Sequence, residues 1–307
     1  MSPQAIFLYE IDESFGPNML AEYNLSQQKI PPEVLKDFTE KHVSKEFNDA
    51  STQKDNIRYY SGAIRGESIE KKNLFLGFAL KEDEDVISIK SAFGTIQERV
   101  IKNYSNERKM MDLVLKDALN SILTLMDKLK EPKIIIETIN EKTKEMLDDG
   151  KLQEARELIN LGEEIPEKLA EEITIAEQSL EEKLYKKAKK SYLKAAELAE
   201  IIQEFEIESF LIHKAEVVGT FPDLSKERDR IFNDVEKSIT ELQSNQLHLY
   251  HEMIKPINRL VEISSAFEDN ELIAKLLDIY SNSTRADKLA KELFNLDKKI
   301  KEEFESI

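Results

Sequence analysis

The class of the fold is decided by the sequence Leu74-Phe75-Leu76-Gly77-Phe78-Ala79-Leu80. Every residue in this run is apolar, so a strand formed here has no face suited to water. A strand with one solvated face alternates apolar and polar residues, whereas a strand that is covered on both faces is apolar throughout. We therefore predict a central β-strand over residues 74–80, covered on both faces and ended by the acidic run at residues 82–85.

Three other segments have the composition of strands. Residues 5–11 form a short apolar run, and residues 57–65 are rich in aromatic and β-branched side chains. Gly16-Pro17-Asn18 supplies turn residues, so residues 19–25 are predicted to return as a strand after residues 5–11. Residues 86–91 are ambiguous, because they could form a further strand or begin the next helix.

One helix and two connections separate these strands. Pro31-Pro32 suits a first helical turn, because proline there removes no hydrogen bond that the helix would make. The polar residues 48–56 and the segment 66–73 are predicted to be connections. The apolar side chains of the helix follow a rough stripe that consists of Val34, Leu35, Phe38, Val43 and Phe47.

The strongest helical periodicity in the chain lies between Glu107 and Leu129. Its apolar residues are spaced 4, 3, 4, 3 and 4 apart, as in a heptad seam, and are Met111, Leu115, Ala118, Ile122, Leu125 and Leu129. Neighbouring apolar residues widen this seam, so it can cover the sheet on one side and touch other helices on the other. The alternative is that two chains pair through it.

The rest of the chain, from Pro132 onward, has helical patterns and no convincing strand. We predict an α+β fold with two domains: an α/β domain over residues 1–131, in which helices flank an antiparallel sheet, and an all-helical arm of helical hairpins over residues 132–307. Turn residues predict breaks in this arm at Asp149-Gly150, Ile165-Pro166, Gly219–Pro222, Lys255-Pro256, Asp269-Asn270 and Asn282-Ser283.

Two segments of the arm are alike at an offset of 33 residues. Residues 150–162 align with residues 183–195, so that the paired residues are Leu152 and Tyr185, Ala155 and Ala188, Ile159 and Tyr192, and Gly162 and Ala195. Residues 137–200 thereby resemble degenerate tetratricopeptide repeats. The resemblance implies stacked hairpins with a binding groove along Ile173, Glu177 and Glu181. A departure is Glu172, which stands where those repeats carry a bulky residue, and an ordinary helical bundle is the alternative.

The order of predicted elements over residues 5–129 is strand, strand, helix, strand, strand, helix, helix. This order is similar to that of longin and roadblock domains. The resemblance implies an antiparallel sheet with helices on both faces, and a role in small-GTPase regulation or in membrane-trafficking complexes. Profilin-like and other α+β sheets are alternatives. Because the likeness is one of pattern, it assigns a function to no individual residue.

Charge limits the classes of partner. The chain has 44 basic and 61 acidic residues, of which residues 132–307 hold 26 and 39, so −13 of the net charge of −17 lies in the helical arm. Such a surface repels the phosphates of nucleic acids and of anionic lipids. One dense basic cluster, predicted to be a solvated helix face, comprises Lys183, Lys186, Lys187, Lys189, Lys190 and Lys194.

Features that the sequence lacks also bear on the cellular compartment of the protein. The chain has no cysteine for disulfides or thiolate sites, and it has no apolar run long enough to cross a membrane. Residues 1–5 lack the features of a signal peptide. These observations lead us to expect a cytoplasmic protein.

Motifs of catalysis or cofactor binding are missing from the sequence. No phosphate-binding loop, dinucleotide-binding glycine motif or serine-hydrolase elbow occurs. His248 and His251, with Glu252 beside them, could share a helix face and hold a zinc or nickel ion if another ligand came from elsewhere, but we prefer the interpretation of a hydrated or partly packed helix surface. We therefore predict no catalytic, cofactor or metal residues, and expect a non-catalytic adaptor for protein partners, such as a small GTPase. The alternatives are a helical protein that self-associates and an enzyme that uses dispersed carboxylates and histidines.

Overall fold

The computed structural model describes residues 3–12, 14–26, 29–66, 73–81, 86–242 and 247–305. Its first part contains a five-stranded sheet in which all neighbours are antiparallel, in the order β2-β1-β5-β4-β3. The α+β class predicted from the sequence is confirmed. The strands are β1 (Ala5–Asp12), β2 (Gly16–Asn24), β3 (Asp49–Lys54), β4 (Ile57–Ile64) and β5 (Leu74–Lys81).

Strand β5 occupies the centre of the sheet, and its two faces contribute to two different cores. Leu76 and Phe78 belong to the core on one face, whereas Phe75 and Ala79 belong to the core on the other. The absence of a side chain at Gly77 leaves space for the ring of Phe7, its partner on β1. The acidic run at residues 82–85, predicted to end this strand, lies outside the described residues.

Strand β3 corrects the prediction that residues 48–56 are a connection. It pairs with β4 at the edge of the sheet, and its Ala50 packs into the core. An edge strand needs only one hydrogen-bonded neighbour and tolerates polar side chains, so it lacks the apolar pattern of a central strand. Asp55 and Asn56 both have positive φ, as a two-residue hairpin turn requires. Of the predicted connection at 66–73, residues 67–72 lie outside the described residues.

Helix α1 (Pro32–Thr39) covers one face of the sheet with Val34, Leu35 and Phe38, as predicted. The rest of the predicted stripe is wrong, because the helix continues as a π-helical turn over Glu40–Ser44. A π turn adds a residue to the helical repeat and rotates the following side chains. Val43 is therefore exposed, while Lys41 and His42 are buried. Phe47 is buried, but it lies beyond the end of the helix.

Helices α2 (Val86–Lys102) and α3 (Arg108–Lys130) cover the opposite face of the sheet. Residues 86–91 are thus the first turns of a helix and not a strand. The heptad seam of α3 contacts β1 and β2, with Met111, Leu115, Ala118 and Ile122 buried and Leu125 partly buried. The prediction that this seam covers the sheet is confirmed, and its buried residues are not available for pairing with a second chain.

The remaining elements are all helices. The predicted breaks at Asp149-Gly150 and Asp269-Asn270 are confirmed, whereas those at Ile165-Pro166, Gly219–Pro222, Lys255-Pro256 and Asn282-Ser283 are wrong, because helices run through them. A proline removes one backbone hydrogen bond, and the buried residues on both sides of Pro166 keep the helix packed. The helices are α4 (Pro132–Asp148), α5 (Leu152–Glu181), α6 (Tyr185–Ile201), α7 (Phe205–Leu242), α8 (Leu249–Ala266) and α9 (Asn270–Glu305).

Four of the connections between these helices each contain one residue with positive φ, namely Gly150, Lys183, Gln203 and Glu268. In the connection after α5, Leu184 N donates to Ser179 O at 2.7 Å and Lys183 N donates to Leu180 O at 3.0 Å. This pair of bonds defines a Schellman cap, which ends a helix without requiring proline. Lys183 stands 33 residues after Gly150, so the sequence offset relates two equivalent turns, although only one of them carries glycine.

Small residues lie where neighbouring helices of the arm pack together. Ala155 and Ala188 are fully buried, as predicted, and a Cβ on Gly162 would approach Cγ2 of Ile139 on α4 to 2.9 Å. Leu152 and Ile159 are exposed, unlike their counterparts Tyr185 and Tyr192, so the two segments differ in their larger residues.

By its internal contacts the chain divides into two compact units, Met1–Thr220 and Phe221–Ile307. The predicted domain boundary after residue 131 marks the change from mixed to all-helical structure and stays a prediction. In the part of the chain that the structure describes, no helix is long and apolar enough to cross a membrane.

Candidate binding cleft

Within the first unit, helices α2, α3, α5, α6 and α7 enclose a cleft of about 370 Å³. Its wall combines apolar side chains with several polar and charged ones, so it can contact both the apolar and the polar groups of a ligand. Its lining residues are Ser88, Met126, Leu129, Lys130, Ala170, Ile173, Thr174, Glu177, Tyr192, Phe210, Leu211 and Lys214.

The distinctive polar group of the cleft is the ammonium of Lys214, a residue that is only 4% exposed. Its Nζ lies 5.0 Å from the centroid of the Tyr192 ring and 5.9 Å from that of Phe210. Its distance to Oε1 of Glu177 is 3.7 Å, and Glu177 itself is largely exposed. A lysine that loses most of its hydration needs compensation, which here includes two aromatic faces and a carboxylate.

The position of Lys214 follows from the periodicity of α7. Ile207, Phe210 and Leu211 are buried on one face of this helix. Lys214 follows Ile207 by seven residues and Phe210 by four, so it occupies an apolar position of the same face. This lysine is a functional candidate that the sequence analysis missed, although a lysine at an otherwise apolar helical position was the signal that could have identified it.

The groove predicted from the tetratricopeptide resemblance coincides in part with this cleft. Ile173 and Glu177 line it, as the resemblance implied for a groove on this helix. Glu181 is the last residue of α5 and lies outside the lining. Ala170, Thr174 and Tyr192 also come from residues 137–200, whereas the rest of the lining comes from helices α2, α3 and α7, which that segment does not include.

A buried ion cluster holds the helices of this unit together. Glu204, which is 4% exposed, accepts hydrogen bonds from Lys128 Nζ at 2.8 Å and from Lys142 Nζ at 2.6 Å. Burial raises the pKa of Glu204, but the hydrogen bonds from Lys128 and Lys142 outweigh it and lower that pKa on balance. Since all three charges are satisfied within the unit, this cluster ties α3 and α4 to the turn before α7 and is not itself a binding site.

The predicted basic cluster is exposed on α6 and the turn before it, as expected of a solvated helix face. Lys194 pairs with Glu172 at 3.0 Å, which places this glutamate in contact with α6. The aliphatic part of Lys189 packs on Gly219, where an added Cβ would approach its Cδ to 2.9 Å. Lys194 and Lys189 therefore contact different helices, α5 and α7.

His248 and His251 lie together in a shallow groove of the second unit, with Glu252 beside them. Nδ1 of His251 is 3.4 Å from Oδ2 of Asp287, and Lys291 donates to the same oxygen at 2.7 Å. The hydrogen bond from Lys291, with that from His251, lowers the pKa of Asp287. Among the described residues, no group of three or more histidines and carboxylates could hold a metal ion.

A third polar network crosses the sheet under helix α1. His42 Nδ1 is 2.7 Å from Phe47 O, and its Nε2 is 3.1 Å from Ser61 Oγ, which in turn is 2.7 Å from the hydroxyl of Tyr9. Burial lowers the pKa of His42 and raises that of Tyr9. The neutral imidazole donates from Nδ1 to the carbonyl and accepts at Nε2, so the chain of bonds needs no ion. Its members are buried, and we interpret it as a structural network.

Comparisons with protein-family models, with curated proteins and with solved structures found no match for this chain.

Proposed function

We propose that this chain is a non-catalytic adaptor that binds a segment of a partner protein in the cleft around Lys214. The observation that carries the proposal is a lysine ammonium that is buried beside two aromatic rings in the lining of a cleft. Desolvated charges are expensive to keep in a protein, and a group brought against them contributes more binding energy than the same contact at an exposed surface.

The composition of the wall defines the class of ligand. Met126, Ile173 and Leu211 offer an apolar surface that suits a leucine or phenylalanine side chain. Lys130 and Lys214 place two ammonium groups in the lining of the cleft, and these favour a carboxylate beside the apolar side chain of the ligand. We propose that the bound segment carries an aspartate or glutamate next to a large apolar residue, or ends in a carboxylate.

The overall charge of the protein is compatible with such a selective site. A net charge of −17 disfavours acidic ligands elsewhere on the surface. An acidic segment gains from binding where the local charge is positive, and the cleft presents Lys130 together with the largely buried Lys214. Selectivity then comes from repulsion outside the site as well as attraction inside it.

The partner class follows from the two resemblances and is part of the same proposal. A five-stranded antiparallel sheet with α1 on one face and α2 and α3 on the other supports the likeness to longin and roadblock domains. That likeness suggests a small GTPase or a membrane-trafficking complex as the source of the bound segment. The buried Ala155 and Ala188 and the groove position of Ile173 support a tetratricopeptide-like mode of peptide binding.

Site-specific photo-crosslinking in cells that contain the protein tests this proposal. A photoreactive residue replaces Thr174, which is exposed and lines the cleft, and in a control variant it replaces Lys187, which is exposed on α6 outside the cleft. We expect a defined protein to be crosslinked from position 174 alone, and the product to diminish when Lys214 is also changed to methionine. Equal products from both positions, or products that are insensitive to Lys214→Met, would contradict the proposal.

A further inference from the structure

The C-terminal part of α9 carries an exposed apolar stripe. Helix α9 has 36 residues, whereas α8, which packs against it, has 18. Leu276 and Ser283 in the first half of α9 are buried. The second half presents six large apolar side chains that are 48–77% exposed. One is Phe294, and the other five we call the α9 stripe: Leu289, Leu293, Leu296, Ile300 and Phe304.

The spacing of the α9 stripe indicates what kind of surface covers it. The first four residues are 4, 3 and 4 apart, which is the heptad spacing of a two-stranded coiled coil. At about 100° per residue these four side chains fall within an arc of about 60° on the helix. A narrow seam of this kind fits one neighbouring helix with the same seam, and a concentrated apolar surface of this kind marks an interaction site.

The charges beside the α9 stripe distinguish between the two ways in which such helices can pair. Glu292 and Lys299 flank one edge of the seam, seven residues apart, and Asp297 flanks the other edge. In a parallel pair of identical helices, Glu292 of each copy faces Asp297 of the other copy, and the two negative charges repel. In an antiparallel pair, Glu292 of each copy faces Lys299 of the other copy, and the opposite charges attract.

We infer that two copies of this chain associate through the α9 stripe as an antiparallel helix pair. Leu293 packs against Leu296 of the second copy, and Leu289 packs against Ile300 of the second copy. Two Glu292–Lys299 pairs border these layers. The four layers are few for a coiled coil, so the association is concentration-dependent and reversible.

Sedimentation equilibrium of the full chain over a range of concentrations tests this inference. The wild type is expected to shift from the mass of one chain to that of two, and Leu293→Glu is expected to remain monomeric. Glu292→Lys or Lys299→Glu alone places like charges opposite each other and weakens dimerisation about tenfold, while the double change restores most of the affinity. Lys298→Glu is the matched control, because this neighbouring lysine lies on the opposite side of the helix.

The outcomes distinguish the antiparallel pair from a parallel pair and from a monomer. A parallel pair requires Glu292→Lys to strengthen dimerisation, because the substituted ammonium would then face Asp297 of the second copy. A wild-type chain that stays monomeric at the highest concentration overturns the inference altogether. Equal weakening by Lys298→Glu and Lys299→Glu overturns the assignment of the seam, and circular dichroism of each variant confirms that the exposed substitutions leave the fold intact.

Discussion

The ammonium of Lys214 on α7 lies 5.0 Å from the centre of the Tyr192 ring on α6. The phenyl ring of Phe210 and the carboxylate of Glu177 also lie close to this ammonium. Lys214 is 4% exposed and lines the cleft, so an anionic group that enters the cleft meets an ammonium that is largely shielded from bulk water. Lys128 and Lys142, by contrast, share the carboxylate of Glu204 inside the helical packing.

The first prediction concerns the seam of α3. Changing Ile122 to aspartate buries a carboxylate in the core between this helix and the sheet, and we expect residues 1–131 to unfold. Leu113→Asp is the control, because Leu113 lies on the exposed side of the same helix. Circular dichroism and thermal unfolding measure both variants, and a folded Ile122→Asp monomer would show that the seam is not a core element.

The second prediction concerns the packing of α6. Ala188 is fully buried in the packed core of the helical arm, so Ala188→Leu overpacks this position and lowers the free energy of unfolding by about 1–3 kcal/mol. Lys187 is exposed, and Lys187→Leu should change the stability little. Urea unfolding compares the two variants, and equal effects would mean that Ala188 is not under steric constraint.

The sequence was sufficient to predict the elements with strong periodicity. The apolar run at 74–80 and the heptads of α3 predicted which side chains are buried. In each case the spacing of the apolar residues indicates which faces of the strand or helix are covered. Strand β3 could not be predicted in this way, since an edge strand is stabilised by backbone pairing with β4, and that partner is fixed only in three dimensions. The helix that passes through Pro166 was missed for a similar reason, because tertiary packing offsets the local loss of a hydrogen bond.

The cleft was only partly predictable. Ile173 and Glu177 were found through the repeat, which is a property of one segment of the chain. Ser88, Met126 and Lys214 come from helices outside that segment, and their convergence depends on how the helices of this unit pack. The sequence repeat within residues 137–200 cannot predict which side chains from other helices join the cleft.

The third prediction is a pH dependence that arises from His42. The pKa of His42 is lower in the folded protein than in the unfolded chain, so the unfolded chain binds the proton first as the pH falls. The contribution of neutral His42 to stability is therefore present above the unfolded pKa of about 6.5 and declines as the pH falls below it. Urea unfolding between pH 8 and pH 5 should show a greater loss of stability for the wild type than for His42→Gln. Parallel pH profiles would contradict the burial of a neutral imidazole.

The fourth prediction concerns the buried ion cluster. Glu204→Gln leaves Lys128 and Lys142 without their shared carboxylate and should lower the free energy of unfolding by about 1–3 kcal/mol. Glu206→Gln is the control, since Glu206 pairs with Arg99 at 3.5 Å on an exposed surface, and it should cost less than about 1 kcal/mol. Because the pKa of Glu204 is lowered, the difference between the wild type and Glu204→Gln should diminish as the pH falls through the unfolded value of about 4.5. A loss that is the same for both variants would mean that the cluster contributes no more than an exposed pair.

Selection of peptides from a random display library against the full chain tests the proposed function most directly. We predict that the wild type enriches peptides with aspartate or glutamate, or a terminal carboxylate, next to a large apolar residue. Lys214→Met should retain the apolar preference and lose the acidic one, while Lys187→Met should select the same peptides as the wild type. Failure of the wild type to enrich any peptide class, or an acidic preference that survives in Lys214→Met, would contradict the account of the cleft.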